Sequence, residues 1–530
     1  MAESRTSFAA PSAKTTVRDL MTVVAVLGAV TVLRLVALAY YRLDLYPDEA
    51  QYWSWSRDLA WGYFSKPPVI AWLIAASTAV CGAGEGCIKA SIPLLYFATS
   101  LLIYGIGRRL YGGTIGFFAA LAFITLPGVS YSAVIASTDP PLFACWALAT
   151  YALVRLAQGE ARRLVWWVVL GAAIGLGLLS KYAMAFFIVG LALWIACDGE
   201  ARRRLALPET AGWRRLGLGL AIAGAIYLPN LVWNIRSQFV TFAHTGGNAN
   251  LRGDLFHPDH LLDFVASQFG VFGPVLFAVL LFVILRPTRW RADWRTRLFA
   301  ALILPMLVSI AVLALLSRAN ANWAAPVYVA GTVWVTAVLI EGGRRWLAVA
   351  SLALHVAVAA AVGVLPVLRD GPGTYAGLRF PRGLDPFLHY DGWQEVGARL
   401  SAIRARFPSV PLLVDDRKLL AELLYYVRPW PEDIYSWRRD GRIGDHFDLT
   451  RPMPESPGGD YLFVTDYDDP RYILRHFRDF AMIDAVSVPI AARRDLRVWV
   501  FHVRGFLGYK APRMFYDDNP LETRKGQAER

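Results

Sequence analysis

The chain has 530 residues, 56% of them hydrophobic, with 19 tryptophans and a formal net charge of +13; its mean hydropathy is +0.39. That composition excludes an ordinary soluble domain. The positive charge is not a nucleic-acid footprint, because the arginines fall in short loops between apolar runs, as in the cytoplasmic loops of membrane proteins.

The polar start, Met1 to Asp19, has no small-residue cleavage site ahead of a short apolar core. It reads as a cytoplasmic tail, 1–19, followed by a retained helix from Leu20 to Tyr41. Further apolar segments follow near 67–82, 89–107, 113–130, 138–154, 164–179, 182–197, 216–234, 263–285, 298–316, 323–340 and 346–367. If every one crosses, the loops with Arg108–Arg109 and with Arg202, Arg203 and Arg204 lie outside, against the charge rule. Segment 67–82 starts at Lys66-Pro67-Pro68 and ends in Gly82-Ala83-Gly84-Glu85-Gly86. At about 16 residues it is short for a span. Laying it in the interface, or letting it re-enter, gathers all the strongly basic loops on one side. The expectation is a polytopic α-helical membrane protein with about eleven spans plus one interfacial or re-entrant helix. This part covers 20–368 and contains a first outer loop at 42–88.

Beyond it, Gly392–Arg406, Arg417–Val427 and Pro470–Phe477 read as helices. Pro411–Val414, Tyr461–Thr465 and Arg497–Val503 read as strands. The alternation predicts an α/β domain over 369–530. By the same topology it lies on the periplasmic side of a bacterial inner membrane. It has no Gly-rich nucleotide loop. Cys145 and Cys197 fall in spans and read as buried thiols. Cys81 and Cys87 flank the Gly-rich outer loop, where a disulfide and two free thiols both fit.

This topology places Asp48–Glu49, Lys66, Asp139, Lys181, His244, Arg318 and Asn322 at the outer face. Singly, each has a structural explanation. Carboxylates favour helix N-termini, and Lys and Arg near helix ends snorkel to head groups. Together they form a candidate site. Lys181, in Leu178-Leu179-Ser180-Lys181-Tyr182, interrupts a long apolar run and, like Lys66, has no carboxylate nearby in sequence. Lys66, Lys181 and Arg318 converging on a phosphate explain that, because such groups bind phosphate oxygens by charge-assisted hydrogen bonds. His244, His257 and His260 share the loop 236–262 with Asp254 and Asp259. No helical i, i+4 His pair is present, so a divalent metal is not favoured and no metal ligand is assigned.

Several of these stretches resemble one known group. They are Tyr46-Pro47-Asp48-Glu49-Ala50-Gln51-Tyr52-Trp53, Gly62-Tyr63-Phe64-Ser65-Lys66-Pro67-Pro68 with Trp72, and Ser137-Thr138-Asp139-Pro140-Pro141. Gly177-Leu178-Leu179-Ser180-Lys181-Tyr182, Pro229-Asn230 with Trp233-Asn234, and Arg318 with Asn322-Trp323-Ala324-Ala325-Pro326 add to them. The chain is similar to the GT-C membrane glycosyltransferases of the protein O-mannosyltransferase and lipid A aminoarabinose transferase type. Within them it resembles the branch of the lipopolysaccharide-core galacturonosyltransferases. The resemblance implies a sugar donor on a polyprenyl phosphate and an outer-face acceptor (lipid A or lipopolysaccharide, another glycan, or a protein); no cofactor is assigned, and a divalent metal is possible but not favoured. It makes Asp48 the base and Lys66 a donor-phosphate ligand. Ser65 departs from the aminoarabinose transferases, which carry Glu at that position, one linked with metal binding.

The resulting expectation is transfer of a sugar to an acceptor hydroxyl with inversion. Asp48 and Glu49 form the catalytic pair, and Lys66, Lys181 and Arg318 bind the donor phosphate. Tyr52, Tyr63, Asp139, Tyr182, His244 and Asn322 contact substrate. A retaining route needs a second carboxylate, for which Glu49 stands ready. A lipid-linked sugar flippase or small-molecule transporter is the rival. Transporters place polar sites near the midplane, whereas only Arg34 and His355 are ionisable within the spans here. A non-catalytic assembly protein is a third reading, against which the Asp48–Lys66 combination speaks.

Overall fold

The computed structural model describes residues 13–251, 255–371, 373–380, 385–438, 443–455, 458–491 and 494–509. Most of the expected tail 1–19, and Asp254 of the outer loop, lie outside the described residues. The chain forms two compact units. One holds the chain up to Tyr40 together with Lys66–Leu365; the other holds Tyr41–Ser65 and the chain from Pro366 onward. The expected boundaries kept the whole first loop, 42–88, with the membrane part. The structure instead cuts that loop at Ser65–Lys66.

In the first unit, seven helices among the described residues are long and apolar enough to cross a membrane. They are Arg18–Leu38, Glu85–Tyr111, Asp139–Glu160, Thr210–Arg236, Trp294–Leu316, Ala321–Glu341 and Arg345–Val364. Val69–Cys81, Gly113–Thr125, Leu164–Ser180, Tyr182–Cys197 and Pro274–Ile284 are shorter apolar helices. The 13 residues of Val69–Cys81 rise about 20 Å, against about 30 Å of hydrocarbon. Gly113–Thr125 is equally short, so the count of eleven spans rests on charge and not on helix length. The predicted segment 263–285 is two helices, Pro258–Val271 and Pro274–Ile284. Gly273 between them has φ +86°, and Pro274 has no N–H with which to continue the first helix.

Small residues let these helices approach. A Cβ on Gly171 would lie 2.2 Å from the Gly219 carbonyl oxygen, and one on Gly107 would lie 2.7 Å from the Gly116 Cα. Arg34 donates through Nη2 to the Ile124 carbonyl at 2.7 Å and to Ser130 Oγ at 3.2 Å. His355 is fully buried, with Nε2 3.3 Å from Ser351 Oγ. Arg34 therefore braces a helix contact, while the His355 bond lies within its own helix, Arg345–Val364. Cys81 and Cys87 are joined as a disulfide, with Cα atoms 5.9 Å apart.

The second unit carries two sheets. Strands β1 (Arg369–Gly371), β2 (Thr374–Tyr375) and β3 (Leu378–Arg379) form a small antiparallel sheet. The larger sheet holds β4 (Leu412–Val414), β5 (Ile434–Ser436), β6 (Tyr461–Thr465), β7 (Phe477–Ala491) and β8 (Arg494–Phe506), in the order β5-β4-β6-β8-β7. β4 runs parallel to β5 and β6, and β8 runs antiparallel to β6 and β7. Leu413, Trp437, Phe463, Phe501 and Val503 fill the core on one face. Helices Trp393–Ala405 and Arg417–Tyr426 sit where the sequence predicts them. The predicted helix Pro470–Phe477 shrinks to Arg471–Leu474, because Phe477 already starts β7.

Helix Pro47–Ser56 belongs to this unit and packs on Arg417–Tyr426. The Trp53 ring meets the Tyr425 ring edge-on at 4.9 Å, and the Leu45 N–H donates to the Tyr426 hydroxyl at 2.7 Å.

Candidate active site

Helix Pro47–Ser56 starts with Tyr46 as its N-cap and Pro47 as its first residue. A proline is suited to that position, where an N–H would have no helical partner. Glu49, three residues past the cap, turns its carboxylate back, and Oε2 accepts the Tyr46 N–H at 2.9 Å. This is the returning half of a capping box. Glu49 is 0% exposed. The carboxylate is buried and caps the helix end, whereas it was expected to stand beside Asp48 in a catalytic pair.

Asp48 points elsewhere. Its side chain is 44% exposed, and Oδ1 accepts from Arg417 Nη1 at 3.0 Å. The same nitrogen also donates to Gln51 Oε1. Asp48 Oδ2 takes part in no hydrogen bond among the described residues. Burial lowers the Arg417 pKa, but the neighbouring Asp48 carboxylate outweighs it and the net shift is upward, so the guanidinium stays charged. Arg417 was missed by the sequence reading. It is the first residue of its helix, behind the N-cap Asp416, and nothing local marks it as a partner of Asp48.

The aromatics of the first loop are mostly structural. Tyr52 is 5% exposed and lies against Trp55, with ring centroids 5.0 Å apart. Tyr63 stacks on Trp55 at 4.4 Å with nearly parallel rings, and its hydroxyl donates to the Trp55 carbonyl at 3.0 Å. Burial pushes the Tyr63 pKa up to about 12. Tyr63, expected to contact substrate, is buried in this aromatic cluster. His446 closes this cluster, 5.2 Å from Trp55. Burial, with Arg451 and Arg417 nearby, pulls its pKa down to about 3, so it is neutral.

In the first unit, Lys181 follows the last residue of helix Leu164–Ser180, and Asp139 opens helix Asp139–Arg155. Lys181 Nζ lies 2.6 Å from Asp139 Oδ1, and Asn322 Nδ2 donates to Asp139 Oδ2 at 2.8 Å. Lys181 has no carboxylate nearby in sequence, and the fold supplies one from 42 positions earlier. Asp139 is thus a link between Lys181 and Asn322. The Tyr182 hydroxyl joins Asn230 Oδ1 at 3.1 Å and Asn234 Nδ2 at 3.2 Å, and its ring stacks on Phe242 at 5.0 Å. Asn230 and Asn234 are fully buried. His244 is half-buried within Val240–Gly247, and Arg318 is exposed just past Trp294–Leu316. Lys66 is half-buried ahead of Val69–Cys81.

The ligand atoms of His257, Asp259 and His260 lie within 4.8 Å of one another. His257 and His260 stack at 4.7 Å, and His260 Nδ1 meets the Ser317 carbonyl oxygen. Asp259 is exposed, and His257 and His260 are half-buried. His257 is the N-cap of helix Pro258–Val271, and Asp259 and His260 lie in its first turn.

The family described as dolichyl-phosphate-mannose-protein mannosyltransferase matches residues 65–233. The lipid A galacturonosyltransferase RgtD of Rhizobium johnstonii is 32% identical over 437 residues, covering 82% of this chain and 89% of its own. The lipopolysaccharide core galacturonosyltransferase RgtA of the same organism is 34% identical over 220 residues, 41% of this chain and 42% of its own. ArnT from Cupriavidus metallidurans in the apo state shares the fold with a TM-score of 0.61 at 18% identity, over 93% of this chain and 98% of its own. Its structure bound to undecaprenyl phosphate matches with a TM-score of 0.59, at the same identity and coverage. With the match to the Rhizobium enzyme spanning nearly all of that relative, the chain belongs to the family of membrane glycosyltransferases that contains the lipid A galacturonosyltransferases, built on the GT-C fold.

Proposed function

We propose that this enzyme transfers a uronosyl sugar from a polyprenyl-phosphate donor to a hydroxyl of a lipid A or lipopolysaccharide acceptor, at the periplasmic face of a bacterial inner membrane. The similarity to a lipid A galacturonosyltransferase over 89% of that relative carries the reading. The undecaprenyl phosphate bound by the ArnT of the same fold supports the donor class.

Asp48 is the general base. A hydroxyl is a poor nucleophile until a positioned group accepts its proton. Asp48 Oδ2 is open for that proton while Arg417 fixes Oδ1. The acceptor oxygen attacks the anomeric carbon as the bond to the lipid phosphate breaks. The phosphate leaves with the bonding pair, and the proton passes to Asp48. Inversion follows from this single displacement. The engagement of Glu49 with the Tyr46 N–H supports inversion over a retaining route that uses it as nucleophile.

Lys181 and Lys66 bind the leaving phosphate, where fixed cations stabilise developing charge. Lys181 uses one of its three N–H donors on Asp139. The pair fixes the ammonium in place and leaves two donors for phosphate oxygens. Transfer of radiolabelled sugar from polyprenyl phosphate by the purified protein in detergent tests the proposal. Absence of transfer from every polyprenyl-phosphate sugar to a lipid A acceptor overturns it.

A further inference from the structure

Arg417 engages its neighbours with one nitrogen only. Nη1 serves both Asp48 Oδ1 and Gln51 Oε1. Nε and Nη2 donate to nothing among the described residues. The side chain is 30% exposed. The neighbouring carboxylates do not fill the Nε–Nη2 edge. Asp416 accepts the Lys418 and Leu419 N–H groups of its own helix. Asp445 caps the helix His446–Thr450 through the Phe447 and Asp448 N–H groups.

A brace for helix Pro47–Ser56 needs only the Nη1 contacts. A lysine, or a neutral amide, would make such contacts without a second edge. A planar guanidinium with its Nε–Nη2 fork open is the group that pairs a carboxylate through two parallel hydrogen bonds. It is held here one hydrogen bond from the carboxylate assigned as the base.

We propose that Arg417 is a specificity-determining residue: Nη1 positions Asp48, and the Nε–Nη2 edge takes the carboxylate of the uronosyl group on the donor. This rests on the reaction proposed above and adds the residue that reads the sugar. A bound carboxylate shares the cation with Asp48 and loosens its hold on Oδ1. An uncharged sugar leaves the fork empty and the original pair intact. Discrimination between acidic and neutral sugars therefore enters kcat as well as KM.

The test uses the full chain in detergent with two donors on the same polyprenyl phosphate, one galacturonosyl and one galactosyl, and a single lipid A acceptor. Arg417→Gln and Arg417→Lys are compared with the unaltered protein. The expected result is that the galacturonosyl to galactosyl ratio of kcat/KM falls by about 10–100-fold in both variants, the range for hydrogen bonds to a charged group. Arg417→Lys keeps a cation beside Asp48 and so retains more turnover of the galactosyl donor than Arg417→Gln. Because the ratio is taken within each variant, a general loss of folded protein cancels. An unchanged ratio in both variants, with the unaltered protein active, overturns the proposal and leaves the reaction class standing. A loss that follows removal of the acceptor phosphates, and not the donor sugar, assigns the fork to the acceptor and overturns it too. No transfer from either donor by the unaltered protein fells the reaction class and this inference with it.

Discussion

Arg417 Nη1 sits 3.0 Å from Asp48 Oδ1, although 369 residues separate the two in sequence. The contact places an arginine of the C-terminal region on the carboxylate of the first-loop motif. Both belong to the same compact unit. The adjacent carboxylate, Glu49, is turned back on its own helix end. The two acids therefore separate in role.

That separation gives opposite outcomes for two conservative changes. Asp48→Asn keeps shape and removes the proton acceptor, so kcat should fall by about 10²–10⁴ with an unchanged melting temperature. Glu49→Gln should instead destabilise the protein by about 0.5–2 kcal/mol, the range for loss of a cap, and keep most of its turnover per folded molecule. Parallel measurement of sugar transfer and thermal unfolding separates them. A dead Glu49→Gln enzyme with unaltered stability reverses the assignment.

Lys181 and Asp139 should behave as a coupled pair. Lys181→Ala removes a phosphate ligand and is expected to lower kcat/KM for the donor by about 10–100-fold. Asp139→Asn leaves the ammonium without its counterion while Asn322 loses a charged acceptor, and is expected to cost about 1–3 kcal/mol. A double-mutant cycle on donor affinity should show non-additivity, as neighbours in one network do. Additive effects would mean that the 2.6 Å contact has no bearing on donor binding.

The C-terminal sheet carries a pH signature. Burial pushes Asp415 up to about 7, and its Oδ2 accepts from Thr465 Oγ1 at 2.8 Å and from the Tyr472 hydroxyl. Burial, aided by Asp416, pushes Asp466 up to about 6. Both lie above the unfolded carboxylate value of about 3.9. Their contribution to stability is therefore complete below about pH 4 and is lost as pH rises through 6 to 7. His446, drawn down to about 3, acts oppositely: its contribution holds above about 6.5 and fades as pH falls. Asp415→Asn removes a carboxyl that must ionise at high pH. Its melting temperature relative to the unaltered protein should thus rise by at least about 2 °C between pH 5 and pH 8. A flat difference over that range contradicts the burial of this carboxyl.

Topology is open to a direct check. Reporter fusions at Gly84 and Gly392 should both signal an external location, and one at Gly112, beside Arg108–Arg109, an internal one. A cytoplasmic signal at Gly84 would make Val69–Cys81 a full crossing and change the span count.

Much of this molecule was legible because its cues are local. Each apolar run became helical, and the Asp48 and Lys66 stretches stood out as polar text beside a bilayer. The break at Gly273–Pro274 was there to be read, but the apolar run on both sides masked it. Strand β7 escaped for a different reason. It is an edge strand in which Phe480 and Met482 are exposed and the register shifts between Met482 and Asp484, so the alternation that marks a half-buried strand is broken. Lys181–Asp139 and Asp48–Arg417 are products of tertiary folding. Neither has a spacing signature, and only the packed helices bring the partners together.

The docking of Pro47–Ser56 on Arg417–Tyr426 also sets a schedule for biogenesis. The helix with Asp48 leaves the ribosome early, carrying Trp53 and Trp55, which end at 3% and 1% exposure. Its partner helix is made about 370 residues later, a delay of roughly 20–70 s at typical rates of synthesis. For that interval an aromatic-rich segment lacks the native partner helix that covers it. Substitutions that weaken the late helix would then appear first as low yield of inserted protein, before any defect in turnover.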